Sequence, residues 1–326
     1  MKTNLKFGIA TIILLSFLHW QCKDEDVFFP YGDDAIGFNF DWKNNTFDDL
    51  KTEEYTFEFD PHLYFEYTFP DFSRLTFDPS IFQLDISPSE CSTVKAVVRR
   101  ALVKKDMVAN GVGTNSNNEI LESSGMFYLE IFCNGKSVNL KPGAKYQIQI
   151  PVDQSNINPE VDLFYGEETR TGINWVEADK NPNNRLNVFF SEWEVDSFGL
   201  KTGITCFPER LKWVNCDYFL KFDSIDLTEA CLIVSTNPGN DTITFNAYCV
   251  FKDYNAVLRP CCVKNSEKIC FSALPIGQNV IYILVGKGKV DYYLGYVEKK
   301  VEKDEMTQIH CQKKTLQEVK DFISML

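Results

Sequence analysis

Met126-Phe127-Tyr128-Leu129-Glu130-Ile131-Phe132-Cys133, closed by Asn134-Gly135, decides the fold class of this chain. Phe127, Leu129, Ile131 and Cys133 fall on one side of an extended backbone, because successive side chains of a strand point to opposite faces. Asn-Gly is the dipeptide that a tight hairpin asks for, since both central residues of that turn take positive φ. The segment therefore reads as a strand entering a hairpin.

The same texture extends in both directions. Tyr55-Thr56-Phe57-Glu58-Phe59 alternates, as does part of Leu63–Phe69, and Pro61, Pro70 and Pro79 punctuate short runs. Val94–Val103 continues the pattern, and Lys145-Tyr146-Gln147-Ile148-Gln149-Ile150-Pro151 alternates until its proline. Strand candidates further on are Ile173–Val176, Leu186–Phe190, Tyr218–Phe222, Leu232–Ser235, Thr242–Phe251, Val280–Val285 and Val290–Val297. Aromatic residues make up 14% of the chain, with 27 Phe and 14 Tyr, and such residues favour pleated surfaces. Only Thr315–Leu326 reads as a helix. Leu316, Val319, Phe322, Ile323 and Leu326 form its stripe, and Thr315 and Glu318 have capping-box spacing. The expectation is a mostly all-β protein: two β-sandwich-like domains with a C-terminal amphipathic helix that docks on the second.

The N-terminus carries a different signal. Lys2 and Lys6 precede an apolar run from Phe7 to Leu18, and Cys22 follows at its exit. A run of that length is short of the ~20 residues a membrane helix needs, and the layout is that of an export signal. This segment resembles the leader of Bacteroidetes-type surface lipoproteins, in which the cleaved chain begins with a lipidated cysteine. Lys23-Asp24-Glu25-Asp26 matches the acidic tag that sends such proteins to the outer face of the outer membrane. Trp20 and Gln21 stand where the strict motif prefers small residues. An ordinary secretory signal and an uncleaved anchor are the competing readings. The resemblance implies lipidation at Cys22 and outer-membrane placement facing the exterior, with the lipid anchor as the membrane contact.

Two further likenesses concern the body. Phe77-Asp78-Pro79-Ser80-Ile81-Phe82 and Leu140–Pro151 resemble the opening and closing strands of the β-sandwich shared by ankyrins and netrin receptors. Gly125–Tyr128, Leu163–Glu168, Ile173-Asn174-Trp175 and Trp213–Asp217 resemble segments of Bacteroidetes-type lipoproteins of no established activity. These likenesses imply a surface β-protein and nothing catalytic. The expected organisation is 1–21 signal, 22–54 acidic tether and first strands, 55–165 ankyrin-type sandwich, and 166–326 a second β-rich domain with its helix.

Charge narrows the partners. The whole chain has a formal net charge of −13, and residues 1–21 hold two lysines and no acid, so the remainder is more acidic still. Nucleic-acid binding needs clustered basic residues. Arg99-Arg100 with Lys104-Lys105 is the densest group, so no nucleic-acid partner is expected. Of eleven cysteines, ten remain beyond Cys22; disulfides and buried thiols are both open, and pairing is not readable. No CxxC pair occurs, so neither metal nor cofactor is expected.

Candidate chemistry is sparse. His62 and His310 are the only histidines beyond the leader, and no GxSxG elbow accompanies them. Asp179–Asn184 starts like a calcium loop but lacks its glycine and closing glutamate, and reads as a turn. Glu167 and Glu168, beside Tyr165, Arg170 and Trp175, are the best ligand-contact candidates. Neighbours on an extended chain point apart, so this pair does not supply both carboxylates of a glycosidase. The expected function is a non-enzymatic surface lipoprotein that binds an unknown protein or glycan partner or plays a structural part. A glycan-binding accessory protein or hydrolase of a nutrient-uptake system is the alternative.

Overall fold

The computed structural model describes residues 36–38, 45–84, 91–153, 158–169, 171–178, 187–196, 198–222, 225–237, 242–264 and 268–326. The signal segment, Cys22, the tag Lys23, Asp24, Glu25 and Asp26, Arg170 and the Asp179–Asn184 turn lie outside the described residues.

The first half runs β1 (Ile36–Phe38), a 3-10 turn (Asn45–Leu50), β2 (Tyr55–Phe59), β3 (Phe65–Thr68), β4 (Arg74–Phe77), β5 (Phe82–Gln83), β6 (Val94–Ala101), α1 (Lys104–Asn110), β7 (Asn115–Ser116), β8 (Glu119–Cys133), β9 (Lys136–Leu140) and β10 (Gln147–Pro151). It continues with β11 (Asp162–Thr169), β12 (Gly172–Glu177), β13 (Val188–Val195), β14 (Gly199–Cys206) and β15 (Lys212–Phe219). The second half holds β16 (Leu227–Ser235), β17 (Ile243–Phe251), β18 (Val257–Leu258), β19 (Cys262–Lys264), β20 (Lys268–Pro275), β21 (Asn279–Lys287), β22 (Tyr292–Lys300), β23 (Glu305–His310), β24 (Gln312–Lys314) and α2 (Leu316–Ser324). The protein is mostly β, as its alternation predicts.

These strands build two sandwiches. In the first, a sheet ordered β12-β11-β15-β8-β6-β2 faces one ordered β13-β14-β10-β4-β3. Phe127, Leu129, Ile131 and Cys133 enter the core between them, against Leu75, Phe77, Ile148, Ile150 and Ile204 from the opposite sheet. Asn134 and Gly135 turn β8 into β9 with φ of 50° and 76°, the conformation read from their sequence. In the second, β1-β17-β21-β22-β24 faces β19-β20-β16-β23, with Phe245, Phe251, Phe271, Tyr282 and Leu284 between.

A third core joins the sandwiches. Met126, Tyr128, Trp175 and Trp213 leave the far face of the first large sheet, and Tyr248, Val250, Ile283 and Val285 leave the far face of the second. Both α-helices of the described residues sit in this layer, through Met107 and Val108 of α1 and Val319 and Ile323 of α2. Strands such as β17 are therefore buried on both faces and read as apolar runs.

The boundary expected at 165/166 falls inside β11, which is hydrogen-bonded to β12 and to β15. Among the described residues the chain starts in the second sandwich with β1, passes to the first between Phe38 and Tyr55, and returns to the second between Phe219 and Leu227. Segments on either side of residue 165 share the large sheet because β-pairing is set by register, and composition does not change there.

The helices divide in legibility. α2 forms as its spacing predicts: Thr315 Oγ1 accepts from the Glu318 N–H at 3.2 Å, and the Glu318 carboxylate accepts from the Thr315 N–H at 2.8 Å. Its stripe meets β22, where the Phe322 and Tyr296 rings stand 4.5 Å apart. α1 follows directly on Val94–Val103, the run that reads as alternating strand, and no helix signal marks it in the sequence. The Asp106 carboxylate accepts from the N–H groups of Leu102 and Val103, and Gly111 ends the helix at φ 69°. At seven residues α1 is too short to show a stripe.

Candidate functional site

Trp175 points inward. It lies on β12 with no exposed surface, and its indole N–H donates to the Gly113 carbonyl at 2.6 Å. The Trp213 ring meets it edge-on at 6.4 Å. Gly166, the register partner of Trp175, makes room: a Cβ there would come within 2.7 Å of Trp213 and 3.3 Å of the Trp175 ring. Trp193 is also buried. The aromatic neighbour expected at the ligand site is therefore core, since indole buries more apolar area than any other side chain when its N–H finds a partner.

Glu167 and Glu168 are exposed on β11, opposite Asn174 and Ile173. The pleat sends their side chains to opposite faces, so they do not form a facing carboxylate pair. His62 is exposed and within 3.4 Å of the Ser80 hydroxyl; His310 is exposed on β23. The Asp60 carboxylate accepts from the His62 backbone N–H at 2.8 Å and does not orient the ring, so His62 and Ser80 do not form a base–nucleophile pair with an acid behind it.

The structure instead places a small polar pocket at the β8–β9 end of the first sandwich. It encloses about 220 Å³ and is lined by Glu130, Ser137, Asn139, Glu209, Arg210 and Lys212, with Ile131, Leu140 and Leu211 as its apolar floor. Three strands and one loop converge there. Glu130 comes from an outward position of β8, Ser137 and Asn139 from β9, and residues 209–211 from the loop before β15. Tyr165 pins that loop: its hydroxyl oxygen accepts from the Glu209 N–H at 2.9 Å, and the Arg210 guanidinium lies 4.9 Å over its ring. Burial pushes the Tyr165 phenol up to about 12.

Three of the four charged residues that line the pocket are in ion pairs, and the fourth, Arg210, rests on the Tyr165 ring. Lys212 bridges to Glu130, and Lys145 reaches Glu209 at 3.1 Å. Lys212 has a left-handed backbone, φ 75°, a conformation that costs a non-glycine residue about 1 kcal/mol. Burial, then the nearby Arg99 guanidinium, pulls the Lys212 ammonium below its usual range. Mixed donors and acceptors over an apolar floor suit a neutral, hydrogen-bonding ligand. The volume is under the ~300–1,000 Å³ of drug-sized sites, so it admits one ring or one side chain. No motif announces it, because its residues are ordinary polar positions that register and one loop bring together.

A buried acid lies elsewhere, at a bulge in the β8–β15 ladder. Asp217 is fully buried; Asn215 donates to its carboxylate, and the Ser123 hydroxyl donates to Asn215 at 2.8 Å. Burial raises its carboxyl well above the ordinary value of 3.8, against the lowering effect of the Ser123 and Asn215 hydrogen bonds. The native state then holds its proton where the unfolded chain, titrating near ~3.9, has lost it. Stability accordingly falls as pH rises above about 4, by up to ~1.4 kcal/mol per unit, until the native group ionises. Asp217→Asn should flatten this dependence. Urea midpoints at pH 4.5 and 7.5 check it: equal slopes in both proteins would refute the buried-proton reading.

Among the described residues one trio of metal-ligating side chains comes together. Glu229, Cys262 and Cys270 bring ligand atoms within 4.8 Å of one another, but Cys270 is bonded to Cys231. A second disulfide joins Cys91 and Cys133. Among the described residues no helix is long and apolar enough to cross a membrane. Comparisons with protein-family models, with curated proteins and with solved structures find no match to this chain.

Proposed function

We propose that this chain is a non-enzymatic lipoprotein, held in the outer membrane by acyl chains on Cys22 and displayed outward by the Lys23-Asp24-Glu25-Asp26 tag. The observation that carries the reading is the leader itself, a basic start, a short apolar run and a cysteine followed by acids. More than one acyl chain on a single cysteine passes the two-signal threshold for stable anchoring. The body serves a binding or structural role toward a protein or glycan partner.

Two features of the body support this. Among the described residues its tryptophans at 175, 193 and 213 are core, so none of these three offers the stacking face that a glycan hydrolase would present. The two disulfides suit a chain that matures in an oxidising compartment. The polar pocket around Glu130 and Lys212 is the point of contact this reading assigns to a partner. Surface proteolysis of intact cells tests the placement. A protease that does not enter the cell should degrade the body; full protection until the envelope is broken would argue against outward display.

A further inference from the structure

Three cysteines stand in a row across the second sandwich. Cys270 on β20 is the register partner of Cys231 on β16, and on its other side of Cys262 on β19. Directly opposed residues in an antiparallel ladder project to the same face. The sulfurs therefore follow the order Cys262, Cys270, Cys231. Cys270 is bonded to Cys231, while Cys262 is a thiol whose Sγ lies within 4.8 Å of the Cys270 Sγ. Cys261 is exposed, with its Sγ 3.1 Å from the Cys262 Sγ and its N–H donated to the Cys270 carbonyl at 2.9 Å.

We propose that this row is a thiol–disulfide exchange site, in which Cys270 is shared between Cys231 and Cys262. The Cys262 thiolate attacks the Cys270 sulfur. The Cys262–Cys270 bond forms as the Cys231–Cys270 bond breaks, and the electron pair leaves on the Cys231 sulfur. Cys231 then takes up a proton equivalent to the one Cys262 gave up. No oxidant or reductant is consumed. Displacement at sulfur runs through attacking, central and leaving sulfurs, and the cross-strand row supplies them in that sequence. Both isomers leave the β16–β20 and β19–β20 ladders paired, so the exchange asks for side-chain motion only.

Surrounding charge sets the rate. Burial, then the hydrogen bond to Cys261, pushes the Cys262 thiol up to about 12; the Glu229 carboxylate on β16 adds to this and the Lys264 ammonium on β19 opposes it. Lys264 is itself held by Glu229 at 2.6 and 2.7 Å, with Lys268 of β20 opposite. The thiolate is a minor form at neutral pH, so exchange is slow there and rises about tenfold per pH unit in alkali.

The test is disulfide mapping on the full chain. Protein is held without oxygen at pH 7, 9 and 10, quenched in acid, alkylated, digested and analysed by mass spectrometry. A Cys262–Cys270 peptide should appear beside Cys231–Cys270, about tenfold faster per pH unit, with Cys91–Cys133 intact. In Cys231→Ser treated with glutathione disulfide, Cys270 should be bonded to Cys262. The proposal is overturned if wild-type Cys270 is found only with Cys231 at every pH. It is equally overturned if Cys262–Cys270 appears only as Cys91–Cys133 scrambles, since exchange would then require unfolding. If Cys231→Ser does not fold, the wild-type mapping decides alone.

Discussion

Trp175→Ala should lower the unfolding free energy by about 4 kcal/mol, read as a shift in urea midpoint at unchanged slope. Large-to-small changes of a buried indole cost roughly 3–5 kcal/mol, because the vacated volume closes only in part. Here the cavity would open in the layer that joins both sandwiches, between Trp213 and the far face of the β17–β21 sheet. The Gly113 carbonyl would also lose its donor, which adds to the penalty for an unpaired buried group. A tryptophan serving as a ligand platform behaves oppositely: its removal leaves stability nearly unchanged and abolishes binding. A shift under about 1 kcal/mol would mean that the joining core is loosely packed.

Removing the Cys91–Cys133 bond by double substitution to serine should cost about 4 kcal/mol. The two residues are 42 positions apart, and the chain-entropy relation for a loop of that length gives about that value. The bond ties the segment before β6 to the end of β8, so it closes a loop that includes α1. Wild-type protein made in a reducing cytosol should lose more, because the Cys231–Cys270 bond is then missing as well; urea denaturation of wild type and double variant, each with and without a reductant, separates the two contributions. If reduction leaves the midpoint unmoved, the bond is absent from the native protein or contributes nothing to it.

The extent of what was legible in the sequence follows from the range of each interaction. Alternation is local, so Tyr55–Phe59 was readable to the residue, and Asn134-Gly135 gave both strand end and turn. The capping box of α2 is local too. Strand lengths were less readable where both faces are buried. β8 begins at Glu119, ahead of the alternating run, and β15 spans Lys212–Phe219 although only its end reads as a strand. The joining core adds apolar residues to the second face of such strands and erases the period of two. Site geometry was the least legible, because it is made by pairing. Nothing local tells that Glu130 and Lys212 share a pocket, that Trp175 faces inward, or that Cys231, Cys262 and Cys270 align. Of the ligand-contact candidates, Glu167 and Glu168 are exposed and Trp175 is buried, as aromatic residues of β-proteins commonly are.

Intact-mass analysis of the mature protein, taken from the membranes of cells that make it, tests the central claim most directly. The account predicts a polypeptide that begins at Cys22 and carries the added mass of its acyl chains. A chain that begins at any other residue, or that begins at Cys22 with no added mass, would contradict it.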